Sequence, residues 1–314
     1  MKSSKEGARY MKYCVETNSL CKNYKKFRAL KDLTMHVPEG AIYGLVGKNG
    51  AGKTTLIRQI CGLQQPTSGS YTLYGVKNDS SDINKARKRI GAVVESPSIY
   101  LEMTARNNLI EQYKMLGMPS YDGIDELLEL VGLSNAGDKK SKNFSLGMRQ
   151  RLGIAIALCG NPDFLILDEP INGLDPQGII EIRELILKLN KERRITVLIS
   201  SHILDELARL ATHYGFMDNG VMIKEISAAE LEKSFRKCTK VNVNNIKQLI
   251  VVLDRLNIEH KILENEEVEI YGKININRLV IELDKEGCEI LSIHQHEESL
   301  ENYYMNLIGG SANV

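Results

Sequence analysis

Two hydrophobic rhythms run along the chain, and elements can be drawn where one gives way to the other. Short alternating stretches at 13–17 and 33–37, and another at 70–74 closed by Gly75, have the period of half-buried antiparallel strands. Residues 41–46, 90–94, 164–167 and 195–199 are short runs of nearly continuous apolar side chains. Runs of that length suit strands of a parallel sheet covered on both faces. Between them the period lengthens to that of helices. Across 104–131, Leu109, Tyr113 and Leu116 share one face, as do Ile124, Leu127, Leu128 and Val131. Ser145 can cap a helix carrying Leu152, Ala155, Ile156 and Cys159. Asp175 followed by Pro176 starts another, with Ile179, Ile182, Ile186 and Leu189 on its apolar face. A hairpin over 214–217 and 221–226 turns at Asp218-Asn219-Gly220.

The pattern changes character at Ser227-Ala-Ala-Glu230, a capping box. Beyond it the order reads strand (239–244), helix (245–256), two strands (260–264, 267–271), helix (275–286) and strand (288–293). That is the split βαβ order of ferredoxin-like domains. A last helix near 297–308 carries Leu300, Tyr303, Tyr304 and Leu307. We therefore expect a larger unit over 12–226 and a small α+β unit over 227–314. His294 and His296 share a strand face, but no Cys or carboxylate companion stands at ligand spacing.

Composition narrows the class. In 314 residues, 43% hydrophobic and 26% charged content is that of a water-soluble globular chain. The 41 basic and 40 acidic side chains nearly cancel, so no nucleic-acid partner is expected. The basic runs at 85–89 and 139–142 read as solvated faces. Six cysteines without a C-x-x-C pair point to reduced thiols in the cytosol, with Cys61 and Cys159 as small core residues. No apolar run reaches membrane-spanning length. Residues 1–11 are polar, lack a signal-peptide core and are expected to be a disordered extension.

The chemistry is carried first by Gly47-Lys48-Asn49-Gly50-Ala51-Gly52-Lys53-Thr54, the phosphate-loop pattern G-x-x-x-x-G-K-[ST]. Its glycines let backbone N–H groups turn inward around a polyphosphate, where a Cβ would obstruct. Lys53 brings charge to the β/γ-phosphates, and the Thr54 hydroxyl can ligate Mg²⁺. An apolar strand precedes the loop and a helix opens near Thr55, so the helix dipole faces the phosphates. The run 164–167 ends in Asp168 and Glu169. Asp168 can hold Mg²⁺, and Glu169, one residue on, can polarise a water attacking the γ-phosphate.

Upstream, Ser145-Leu-Gly147-Met-Arg-Gln150 resembles the Leu-Ser-Gly-Gly-Gln signature of ATP-binding cassette (ABC) proteins. With Tyr24, the phosphate loop, Asp168–Glu169, Asn172-Gly-Leu-Asp175 and His202 in that order, the chain is identified as a member of that family over 12–226. It looks most like the ATPase subunits of bacitracin and lantibiotic exporters. The resemblance implies an α/β fold: a phosphate-loop cassette with a RecA-like parallel core, an antiparallel β subdomain and a helical subdomain over about 102–160, plus the small ferredoxin-like domain. It implies ATP and Mg²⁺, and binding of nucleotide by Tyr24, residues 47–55, Ser145, Gly147 and Asp175. Tyr24 would stack on adenine; Ser145 and Gly147 would act on the ATP of a second copy packed head-to-tail. Asp175 would lie between the two sites, and His202 would contact the γ-phosphate.

There are two departures from the family, one at Glu95 and one in the signature. Glu95 stands where most members have glutamine; either side chain would offer an oxygen to Mg²⁺, and the glutamate's charge near an anionic ligand is acceptable only if the metal offsets it. Leu146 and Met148 replace Gly and Gln in the signature. The expected protein is a Mg-dependent ATPase that dimerises on ATP. It would drive a separate transmembrane permease from the cytoplasmic face of the membrane, for export of or resistance to an antimicrobial peptide. Segment 95–100 is where that permease would be felt. The alternative is a non-transport ABC ATPase acting on DNA or ribosomes, which would bring paired cassettes or a long coiled coil; neither pattern is present. A phosphate-loop kinase or GTPase would leave the signature unexplained, and no Asn-Lys-x-Asp motif stands in the chain.

Overall fold

The continuous apolar runs become the middle of a six-stranded sheet. The structure is a computed structural model that describes residues 12–234, 237–263, 267–271, 275–297 and 299–310; the expected extension over 1–11 lies outside the described residues. The sheet holds β3 (Ile42–Val46), β6 (Ile90–Val93), β7 (Phe164–Asp168), β8 (Thr196–Ser201), β9 (His213–Asp218) and β10 (Val221–Ser227) in the order β10-β9-β3-β8-β7-β6. All neighbours are parallel except β10, which returns antiparallel beside β9. Every residue of β3, β7 and β8 is buried, as two-sided coverage requires. The hairpin signal at 218–220 identifies β9 and β10 but not the parallel pairing of β9 with β3, because a turn is local and a crossover pairing is not.

A second, antiparallel sheet has the order β2-β1-β4-β5, formed by β1 (Tyr13–Tyr24), β2 (Phe27–Pro38), β4 (Ser68–Leu73) and β5 (Val76–Lys77). One core, including Leu33, Met35, Leu45, Leu56, Ile57 and Ile166, joins this sheet to the parallel one. Helices α1 (Lys53–Ile60) and α2 (Ile83–Arg87) follow β3 and β5. The apolar pattern over 104–131 resolves into two helices, α3 (Ala105–Leu116) and α4 (Ile124–Leu130). Thr104 Oγ1 caps the first by accepting from Asn107 N at 3.2 Å, and Gly117, at φ 67°, ends it. Helix α5 (Leu146–Leu158) starts at Ser145 and α6 (Pro176–Arg193) at Asp175, the two predicted caps. Helix α7 (Leu204–Ala208) leads into β9.

Contacts divide the chain into Met1–Ala228 and Ala229–Val314. The second unit, after α8 (Ala228–Ser234), contains β11 (Lys237–Val243), α9 (Ile246–Arg255), β12 (His260–Ile262), β13 (Val268–Tyr271), α10 (Ile276–Lys285), β14 (Ile290–Glu297) and α11 (Leu300–Gly310). Its antiparallel sheet, β12-β13-β11-β14, places the two middle strands of the βαββαβ series to one side of the first and the last to the other. Leu249, Val252 and Leu253 of α9 and Leu279 and Leu283 of α10 close its core over Val241, Val268 and Ile270. Residues 294 and 296 both lie on β14, but the side chain of 296 is outside the described set. Among the described residues, no three His, Cys, Asp or Glu side chains converge as a metal cage.

Cys159 is buried as expected, whereas Cys61 is half-buried, packed against the edge of the core. Burial pushes the thiols of Cys14, Cys61 and Cys159 up to about 12, which keeps them protonated and unreactive.

One turn ties the two sheets to the phosphate loop. Gly220 N donates to Ala51 O at 3.0 Å, and Gly220 O accepts from Lys31 N at 2.8 Å. Its φ is +82°, and a Cβ there would stand 2.5 Å from Ala29 O. Gly75 has a similar φ of +76° with nothing within 4 Å. Gly75→Ala should therefore cost about 1 kcal/mol, for backbone conformation alone. Gly220→Ala should cost about 2–4 kcal/mol, because strand β2 must also shift. Urea denaturation of both variants checks the difference; equal midpoints would contradict it.

Candidate active site

The phosphate loop leaves β3 after Val46 and enters α1 at Lys53. Gly52 takes φ +104°, and a Cβ on it would lie 2.7 Å from Ala29 O, so the loop can sit against β2 only with glycine there. Lys53 is 6% exposed, and its Nζ donates to Gly47 O at 2.6 Å and Lys48 O at 3.4 Å. A cavity of about 250 Å³ opens over the loop. It is lined by residues 48–55, with Phe27 and Ala29 on one side and Glu169 on another.

Strand β7 delivers the acids. Asp168 is 2% exposed and stands beside Ser200 of β8 in the parallel register. Ser200 Oγ donates to Asp168 Oδ1 at 2.6 Å and accepts from Glu169 N at 2.9 Å. Glu169 has left the strand, with φ +51°. Its Oε1 pairs with Lys53 Nζ at 3.2 Å, and its Oε2 lies 2.7 Å from His202 Nδ1. His202 is itself set by the end of β8, where Ser201 Oγ accepts from Ile203 N at 2.9 Å. Glu169 is thus held between two nitrogens from different elements. The lysine's charge is met by this carboxylate, as a nearly buried ammonium requires.

The remaining predicted residues fall in separate places. Tyr24 and Phe27 face each other across the β1–β2 turn. Phe27 lines the cavity and is 62% exposed, whereas the Tyr24 hydroxyl bonds Gln64 Oε1. Glu95, at φ +63°, pairs its carboxylate with Arg58 of α1. Ser145 Oγ accepts from Met148 N at 3.2 Å, and Asp175 Oδ1 accepts from Gly178 N at 3.1 Å, so both serve as helix caps. Gly147 lies against Leu174 and Gly178, which brings the starts of α5 and α6 together. None of Ser145, Gly147 or Asp175 lines the cavity over their own chain's phosphate loop.

Sequence reasoning passed over two residues. Phe27 reads as an ordinary strand aromatic, and its position opposite Tyr24 was the available clue. Ser200 was signalled only by a pair of hydroxyls closing an apolar strand just before His202. For a divalent cation the donors at hand are the Thr54 hydroxyl and the Asp168 carboxylate, both oxygen. Such a sparse, hard set suits Mg²⁺, whose other ligands are phosphate oxygens and water.

Comparison with known proteins agrees with this geometry. The sequence profile of the ABC transporter family matches residues 30–172. The bacitracin transport ATP-binding protein BcrA of Bacillus licheniformis is 40% identical over 306 residues, 96% of this chain and 99% of that protein. The lantibiotic transport ATP-binding protein SrtF of Streptococcus pyogenes is 43% identical over 224 residues, 70% of this chain and 95% of the relative. Among solved structures, a dimeric ATP-binding cassette in a post-hydrolysis state bound to ADP and Pi superposes with a TM-score of 0.61 at 28% identity, covering 68% of this chain and 98% of the other.

The Lys53–Glu169 pair makes a prediction. Glu169→Gln releases Lys53 and removes a negative charge from the cavity, so affinity for ATP should rise about threefold to tenfold. Titration with a fluorescent ATP analogue measures it, and weakened binding would contradict the competition.

Proposed function

The chain belongs to the ABC transporter family as an ATP-binding subunit, and from that premise we propose that it powers export of a bacitracin- or lantibiotic-like peptide antibiotic through a separate permease. The reaction is hydrolysis of ATP to ADP and phosphate. The observation that carries the assignment of roles is the clamp on Glu169, between Lys53 and His202 at the mouth of the phosphate-loop cavity. When ATP enters, Lys53 turns from the carboxylate to the β/γ-phosphates. Glu169 is then left with His202 and accepts the proton of the attacking water, and His202 contacts the γ-phosphate. Residues 47–55 wrap the phosphates. Thr54 and Asp168 would hold Mg²⁺, which when bound neutralises charge on the phosphate oxygens. Glu95 would reach the metal by releasing Arg58.

The starts of α5 and α6 lie outside the cavity of their own chain, which supports a second copy as their user. Ser145 and Gly147 of one protomer would meet the γ-phosphate held by the other, with the α5 dipole directed at it, and Asp175 would lie between the two sites. ATP then closes the dimer because it contacts both protomers, and hydrolysis reopens it. A permease would be felt at 95–100. Pro97 packs on Gly153 of α5, where a Cβ would stand 2.6 Å from it, and Tyr100 and Leu101 are exposed beside it. Among the described residues no helix is long and apolar enough to cross a membrane, so the permease would hold the subunit at the cytoplasmic face. The bacitracin relative is matched through the small C-terminal unit as well, which favours that class of cargo.

Glu169→Gln should lower turnover by about 10²-fold or more. With Mg-ATP the same variant should scatter light as a dimer, and persistent monomers with the cognate permease present would refute the shared site. Tyr24→Ala or Phe27→Ala should weaken ATP binding about fivefold or more through loss of base stacking. Competition by inorganic tripolyphosphate should be unchanged in both; a parallel loss for tripolyphosphate would show that these rings support the loop rather than the base.

A further inference from the structure

Ser200 is fully buried at the end of β8, and its single hydroxyl serves both acids of the site. An ionised carboxylate only accepts, so the proton in the 2.6 Å contact with Asp168 Oδ1 belongs to Ser200. The oxygen lone pairs then receive Glu169 N–H at 2.9 Å. The main-chain carbonyl of Ser200 lies 3.2 Å from that same Glu169 nitrogen. The amide is therefore provided for without the side chain, and an apolar residue at 200 would leave no orphan N–H. What only the hydroxyl supplies is the bond that fixes the Asp168 carboxylate, tied to the backbone of the residue that follows. That backbone needs holding: φ +51° at Glu169 is a left-handed conformation, unfavourable for a side chain with a Cβ. The neighbouring hydroxyl is spoken for elsewhere, since Ser201 Oγ accepts from Ile203 N.

We infer that Ser200 is a positioning residue for hydrolysis, whose hydroxyl sets the Asp168 carboxylate and the Glu169 backbone in one fixed relation. The inference rests on the roles proposed above for those two acids. Ser200 is buried and does not line the phosphate-loop cavity. It acts by fixing which Asp168 oxygen is committed to the protein and which remains for the metal side, and by keeping Glu169 aimed out of the strand into the cavity.

The test uses the full chain with Ser200→Ala, Ser200→Cys (close in volume, with a weak donor) and Ser200→Thr, which keeps the hydroxyl. In Ala and Cys, kcat should fall about tenfold or more while KM for ATP stays within about threefold. The Mg²⁺ concentration for half-maximal rate should rise about threefold or more, because a loosened carboxylate binds the cation less well. Binding of a fluorescent ATP analogue in EDTA should be unchanged, since the phosphate loop is untouched. Ser200→Thr should keep kcat within about threefold of the parent. The inference is overturned if Ala and Cys keep the parental kcat and Mg²⁺ requirement, or if metal-free nucleotide affinity falls in step with kcat. A Thr variant as slow as Ala at an unchanged melting temperature overturns it too. Parental rates in Ser200→Ala beside an inactive Glu169→Gln remove this role alone. A fully active Glu169→Gln removes the assignment of the base and this inference with it.

Discussion

The carboxylate of Glu169, gripped at one oxygen by Lys53 and at the other by His202, is the contact around which the cassette is organised. Glu169 and its two partners follow the C-terminal ends of three adjacent parallel strands, β7, β3 and β8. Binding sites in open α/β sheets lie at those ends because helix N-termini and loop amides converge there. The apolar strands hold the chain ends side by side; the charges then find one another. A nearly buried ammonium would be costly unpaired, and Glu169 supplies its partner. In the proposed mechanism a triphosphate would draw Lys53 away and leave Glu169 available as the base, so that substrate binding and arming of the base would be one exchange of partners.

The same economy of contacts separates the two faces of the cassette. The cavity belongs to β2, the phosphate loop and the end of β7, while the starts of α5 and α6 pack on each other through Gly147, Leu174 and Gly178. In the proposed dimer a reaction centre assembled from both faces would need two chains, and closure would depend on the ligand that bridges them. Pro97 packs against Gly153 and so joins the segment that follows Glu95 to the helix that begins at Ser145.

Much of this was legible in the chain. The phosphate loop, the acids at the end of an apolar strand, and the caps at Ser145 and Asp175 are short-range features, written within a few residues of one another. Phase and capping therefore placed most elements within a few positions of where they form. The βαββαβ order of the second unit was likewise readable, because each of its elements is short and strongly patterned. The 104–131 stretch was less so: its apolar spacing continues through Gly117 to Gly123, and the break is a matter of backbone conformation rather than of hydrophobicity.

Relations between distant residues escaped the linear pattern. Arg58 lies 37 positions before Glu95 and Ser200 lies 32 after Asp168, and no periodicity connects either pair. Tyr24 and Phe27 pair across the β1–β2 turn, and only the folded structure shows that the Phe27 ring borders the cavity. Hydrogen bonding and ion pairing reach a few ångströms, so which groups meet depends on strand order and register. Identity of the reacting groups is a local property of the chain; their alignment is a property of the folded sheet.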